Sequence, residues 1–141
     1  MGTEGMGHAL QKCQQLLNKN GRLIDIQPVG EPPPISLRIE DETFVVGWVI
    51  EDSDYVTYDE SRAALETAVS LNLFHLQQQE IFAFITYFDN IDDLKSHLAS
   101  EWRGARIDEQ VAMQIESRLQ VPTPDKEIVL EEIVRVSLLR R

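Results

Sequence analysis

One cysteine is too few for an internal disulfide, and Cys13 sits on an apolar helical stripe, which reads as a buried thiol in a reducing compartment. Long hydrophobic runs are missing as well. The longest, Phe44 to Ile50, has seven residues, whereas a membrane-spanning helix needs about 20. Glu4, Gln11, Lys12 and Lys19 interrupt the first twenty positions, so no signal-peptide apolar region is found there. A cytoplasmic chain with no membrane partner is expected. Basic residues are scarce: 13 Lys and Arg stand against 24 Asp and Glu, a net charge of −11. Most of the exterior therefore repels polyphosphate, which argues against a nucleic-acid partner. Seven glycines and six prolines in 141 residues exclude collagen-like and low-complexity sequence. What is present is ordinary, 43% hydrophobic and 26% charged residues, in a length that suits one domain spanning 1–141.

Met6, Leu10, Cys13 and Leu17 step by three and four, and Asn20-Gly21 follows as a left-handed stop, so a helix is expected over 6–19. Arg22-Leu23-Ile24-Asp25-Ile26 is β-rich and apolar on both faces, as in a strand inside a covered sheet. Three prolines, 32–34, make a stiff connector. Ile35, Leu37 and Ile39 alternate with polar residues, Asp41-Glu42 offers a turn, and Phe44, Val46, Trp48 and Ile50 resume the alternation, giving a hairpin of 35–39 with 43–50.

Eight acidic residues and no basic ones lie between Glu40 and Glu60. Asp52-Ser53-Asp54 matches the start of a calcium loop, but Val56 and Thr57 stand where a third ligand and the turn glycine belong, so a solvated acidic loop is expected. Thr57 and Glu60 fit a capping box opening a helix whose buried face carries Leu65, Ala68 and Val69, with Ala64 and Leu71 at its flanks. Two apolar runs, 73–76 and 81–88, joined by Gln77-Gln78-Gln79-Glu80, read as a second hairpin with its later strand buried. Asp89 or Asn90 caps a helix through Ile91, Leu94, Leu98 and Trp102 that Gly104 stops, and Asp108 caps another through Val111, Ile115 and Leu119. A last strand over 127–139 places Ile128, Leu130, Val134, Val136 and Leu138 on one face.

Between residues 9 and 26 the pattern becomes specific. Ala9-Leu10, followed by Leu16-Leu17-Asn18-Lys19-Asn20-Gly21-Arg22-Leu23-Ile24-Asp25-Ile26, resembles the "AL…LLxPGGRLxxI" helix and fifth strand of class I S-adenosylmethionine-dependent methyltransferases, with Asn20 in place of the first glycine of the turn. Residues 65–69, 73–74 and 81–88 are similar to the helix and the sixth and seventh strands that follow in that family. The resemblance implies an α+β fold, a mixed and mostly antiparallel sheet with helices packed on it, corresponding to the C-terminal half of a Rossmann-like methyltransferase. The family holds its methyl donor with a glycine-rich loop and an acidic residue that both precede the fifth strand. Gly5-Met6-Gly7 has the G-x-G letters but follows no strand. This chain alone is therefore expected to bind no cofactor.

In that family the fifth strand sits between the fourth and the seventh, so here one edge of the 22–26 strand is expected to be open. An open apolar strand is an aggregation template unless it is covered. The hairpin 35–50, the strand 127–139 or a second copy could cover it, and a homodimer through the sheet edge is expected. Catalytic constellations are absent: His8, His75 and His97 have no metal-ligand spacing, no serine lies in G-x-S-x-G, and Asp93 and His97 form a surface i,i+4 pair. Trp48, Tyr55 and Tyr58 flank the acidic stretch. They read as one core residue and two half-exposed tyrosines or, alternatively, as a small-molecule pocket whose acidic rim suits a cationic ligand. The expected function is a non-enzymatic assembly or regulatory protein completed by self-association. The alternative is a small-molecule-binding or methyltransferase half that needs a separate cofactor-binding protein partner.

Overall fold

A computed structural model describes residues 3–51, 54–102 and 104–141, with side chains described for 5–51, 58–102 and 104–141. The elements run α1 (Thr3–Leu16), β1 (Arg22–Pro28), β2 (Pro34–Ile39), β3 (Glu42–Trp48), β4 (Ile50–Glu51), α2 (Asp54–Ser70), β5 (His75–Phe88), α3 (Ile91–Glu101), β6 (Ala105–Arg106), α4 (Glu109–Arg118) and β7 (Lys126–Arg140). The architecture is mixed α+β, with mostly antiparallel pairing. No helix among the described residues is long and apolar enough to cross a membrane. The chain divides into two compact units, 1–31 with 53–82 and 133–141, and 32–52 with 83–132.

In the first unit, α1 and α2 pack on each other around Leu10, Leu65, Ala68, Phe74 and Leu139, with Met6, Cys13 and Leu23 alongside. Burying a side chain of this size contributes roughly 1.5–3 kcal/mol. The thiol of Cys13 is half-buried against this core. Asn20 takes the left-handed conformation expected of it, at φ 69°. The helix nonetheless runs 3–16 rather than 6–19, because the turn closes early through Gly21 N–H to the Asn18 carbonyl at 2.7 Å. A side chain at Gly21 would start 2.9 Å from that carbonyl oxygen, so glycine is required by space. The end of α2 is a Schellman turn: Asn72 has φ 60°, its N–H donates to Val69, and the N–H of Leu73 donates to Ala68. Leu71, expected at the flank of the buried face, is exposed beyond this stop. The start of α2 differs from expectation, since the helix begins at Asp54 and Thr57 lies inside it rather than at its N-cap. Nothing between 54 and 57 breaks a helix, so it extends past the capping-box position. The calcium-like start at Asp52-Ser53 falls outside the described residues.

β1 pairs antiparallel with residues 134–140 of β7, and β5 also pairs with β7. The expected hairpin at 73–88 is instead one strand of 14 residues. Gln77 to Glu80 is polar but contains no Gly, Pro or Asn to reverse the chain, and polarity alone makes no turn. The later half of β5 is not buried either: Phe88 is, but Ile81, Phe82, Phe84, Ile85 and Tyr87 are exposed.

In the second unit, β2 lies between β3 and residues 126–130 of β7. Ile35 opposite Leu130 and Leu37 opposite Ile128 are all fully buried, packed under Leu94 and Leu98 of α3 and Ile115 of α4. Both helix starts carry the caps the sequence indicates: Asn90 Oδ1 accepts from Asp93 N–H and Asp108 Oδ1 from Gln110 N–H, each at 2.8 Å. The hairpin turn falls at Glu40-Asp41, one residue earlier than expected. A bulge at Val46 then reverses the alternation. Leu37 pairs with Phe44, but Ile35 pairs with Gly47, so Gly47 and Val49 turn inward and Trp48 turns out, 56% exposed. The core position expected for Trp48 is thereby corrected.

β7 departs from its expected single apolar face. Ile128 and Leu130 are buried, yet nearer the C-terminus Ser137 and Leu139 are buried while Val136 and Leu138 are half-buried. The buried set changes parity because the two ends of the strand serve different cores.

Candidate functional site

The β1–β7 register sets Leu23, Asp25 and Gln27 directly opposite Leu139, Ser137 and Arg135. Side chains alternate along a strand, so these six share one face, and Arg22, Ile24 and Ile26 take the other with Arg140, Leu138 and Val136. The first face turns inward: Ser137 and Leu139 are fully buried and Gln27 is 7% exposed. The second faces out, with Ile24 64% and Ile26 57% exposed. Polarity is thus inverted relative to an ordinary half-buried strand, isoleucines outside and Asp, Gln, Arg and Ser within. This corrects the expectation of a strand covered on both faces.

Buried polar groups require partners, and several are present. Gln79 on β5 donates to Ser137 Oγ at 2.9 Å, and Gln27 Nε2 donates to the Ser61 carbonyl of α2 at 3.4 Å. Gln27, Gln79 and Arg135 then line, with Arg62, Leu65 and Glu66 of α2, a cleft of about 280 Å³. Arg62 is held by Asp59 at 3.3 Å and Glu66 at 4.0 Å, both exposed ion pairs of the weak kind. Burial pushes the Asp25 carboxyl above the ordinary carboxylate range, and the Gln27 amide and the Arg135 charge offset this in part. Arg135 itself makes no hydrogen bond and no close ion pair among the described residues.

The arrangement suits binding. Ser137 has Gln79 as its partner, and no histidine lines the cleft to act as base. His97 instead packs against the Phe88 ring, centroids 5.2 Å apart, and the Asp93 side chain bonds Asn90 at 3.1 Å. No group of three His, Cys, Asp or Glu able to hold a metal occurs among the described residues. Of the aromatic candidates, Trp48 ends β3 in the second unit, while Tyr58 is half-buried on α2 in the first, its Cβ 3.8 Å from where a side chain on Gly30 would begin. The side chain of Tyr55 lies outside the described residues. Neither Trp48 nor Tyr58 lines the polar cleft.

Sequence reasoning missed the cleft because its residues span more than a hundred positions and meet only through pairing register. One signal was available: polar residues two apart, Asp25 with Gln27 and Arg135 with Ser137, within otherwise apolar strands. No protein family, curated protein or solved structure matches this chain.

Proposed function

We propose that this chain is a non-enzymatic assembly or regulatory protein, derived from the C-terminal part of a methyltransferase-like fold and completed by self-association through the β1 side of its sheet. The observation that carries the reading is the inverted polarity of β1. Ile24 and Ile26 stand outward, opposite Leu138 and Val136, and Ile24, Val136 and Leu138 with Phe82 of β5 line a shallow depression of about 260 Å³ that Gln78 and Glu80 rim. β7 covers one edge of β1, and no strand pairs with the other among the described residues. A sheet that sends isoleucines outward and carboxyl and amide groups inward is one built to be covered on its outer face. A second copy supplies a matching apolar surface, and an isologous contact closes the assembly at two. β1 pairs antiparallel with residues 134–140, whereas the resemblance puts 81–88 beside it; residues 81–88 belong to β5, which pairs with β7 instead, so the derivation rests on the 9–26 pattern alone.

Light scattering coupled to size-exclusion chromatography tests the reading. A mass of two chains is expected, and Ile24→Lys with Ile26→Lys reduces it to one chain while circular dichroism stays unchanged. A wild-type monomer at high concentration, or a chain whose melting temperature rises with S-adenosylmethionine, overturns it.

A further inference from the structure

We infer that the cleft under α2 binds a small carboxylate, with the Arg135 guanidinium as its principal anchor and the Gln79 amide as a secondary donor. The inference stands apart from self-association and uses the opposite face of the sheet.

Three observations converge on it. Arg135 is fixed on β7 directly opposite Gln27, its half-buried side chain on the cleft wall. A guanidinium presents five N–H donors in a planar fork that matches a carboxylate, and none of these donors is used within the described residues. Asp25 acts on Arg135 through space but takes none of its hydrogen-bond donors. The remaining lining is chosen the same way. Gln27 and Gln79 are neutral, each is anchored by a bond to Ser61 or Ser137, and the charge of Arg62 is taken up in two exposed ion pairs.

Charge decides the ligand class. The chain carries −11 overall, yet at physiological salt distant charges are screened beyond about 8 Å. What a ligand meets in the cleft is the Arg135 guanidinium, whose donors no described residue takes up and on which Asp25 acts only through space, beside the neutral Gln27 and Gln79; Arg62 is already engaged by Asp59 and Glu66. An anion is therefore favoured where the molecule as a whole repels one. The volume, about 280 Å³, admits a small organic acid and is too small for a polymer.

The full-length chain is titrated with sodium succinate, with inorganic phosphate as a second arm and sodium chloride at matched ionic strength as control, following side-chain amide and arginine resonances by NMR. Saturable shifts at Gln27, Gln79 and Arg135 with succinate are expected, weaker shifts with phosphate, and none with chloride. Arg135→Gln weakens succinate binding at least tenfold, and Arg135→Lys, which keeps the charge beside Asp25 and so guards against a folding failure, weakens it several-fold. Arg140→Gln, an equal loss of charge at the exposed end of β7, leaves affinity unchanged. Absence of saturation, equal affinity in Arg135→Lys and wild type, or tighter binding of phosphate than of succinate overturns the proposal.

Discussion

A carboxyl half-buried on a strand costs stability when it is charged, and Asp25 is placed to measure that cost. Its pKa in the folded chain lies above the ordinary value of 3.8, chiefly through burial. The folded state therefore holds this proton more tightly than the unfolded one. Stability from this group is greatest below the ordinary value and is lost as pH rises through the raised one. Asp25→Asn removes the titration. Chemical denaturation at a series of pH values from 3 upward should show the variant gaining on the wild type as pH increases across that window. Parallel profiles for the two proteins would mean that Asp25 is solvated after all. Arg135 acts in the opposite sense, so Arg135→Gln should raise the Asp25 pKa further.

At the scale of elements, local signals and long-range ones fared differently. Asn90 and Asp108 were legible as caps because a cap is a contact between neighbours in sequence. The 35–39 strand is legible because its alternation survives, and the last strand because of its β-branched run, although the buried faces of β3 and β7 both depart from strict alternation. β5 departs from the expected hairpin because Gln77 to Glu80, though polar, holds no residue that reverses the chain. The polar cleft was illegible for a deeper reason: Asp25, Gln79 and Ser137 become neighbours only once β1, β5 and β7 have paired. The β3 bulge lies between these cases, since it alters which residues face α4 without altering the composition of the strand. Its consequence is testable. By turning Gly47 inward it brings the backbone so close to Val111 of α4 that an added Cβ would sit 2.7 and 2.8 Å from the two methyls. Gly47→Ala should destabilise by about 1–3 kcal/mol through overpacking, and Val111→Ala in the same chain should recover much of that loss. Additive effects of the two substitutions in denaturant melts would place the bulge elsewhere.

For the molecule as a whole, charge and apolar surface pull in opposite directions. Two chains each carrying −11 repel, whereas the face formed by Ile24, Ile26, Phe82, Val136 and Leu138 gains by leaving water. The two forces respond differently to salt. Screening shortens the reach of the repulsion from about 10 Å at 0.1 M to about 3 Å at 1 M, and it leaves apolar burial in place. Self-association through this face should therefore tighten as sodium chloride is raised, the reverse of an assembly held by ion pairs, which salt loosens. Sedimentation velocity on the wild-type chain between 0.05 and 0.5 M salt reads the dimer fraction directly. Ile24→Lys with Ile26→Lys adds two positive charges to each chain and so lessens the overall repulsion. If electrostatics governed assembly, that variant would dimerise better than the wild type. The apolar reading requires that it stay monomeric at every salt concentration.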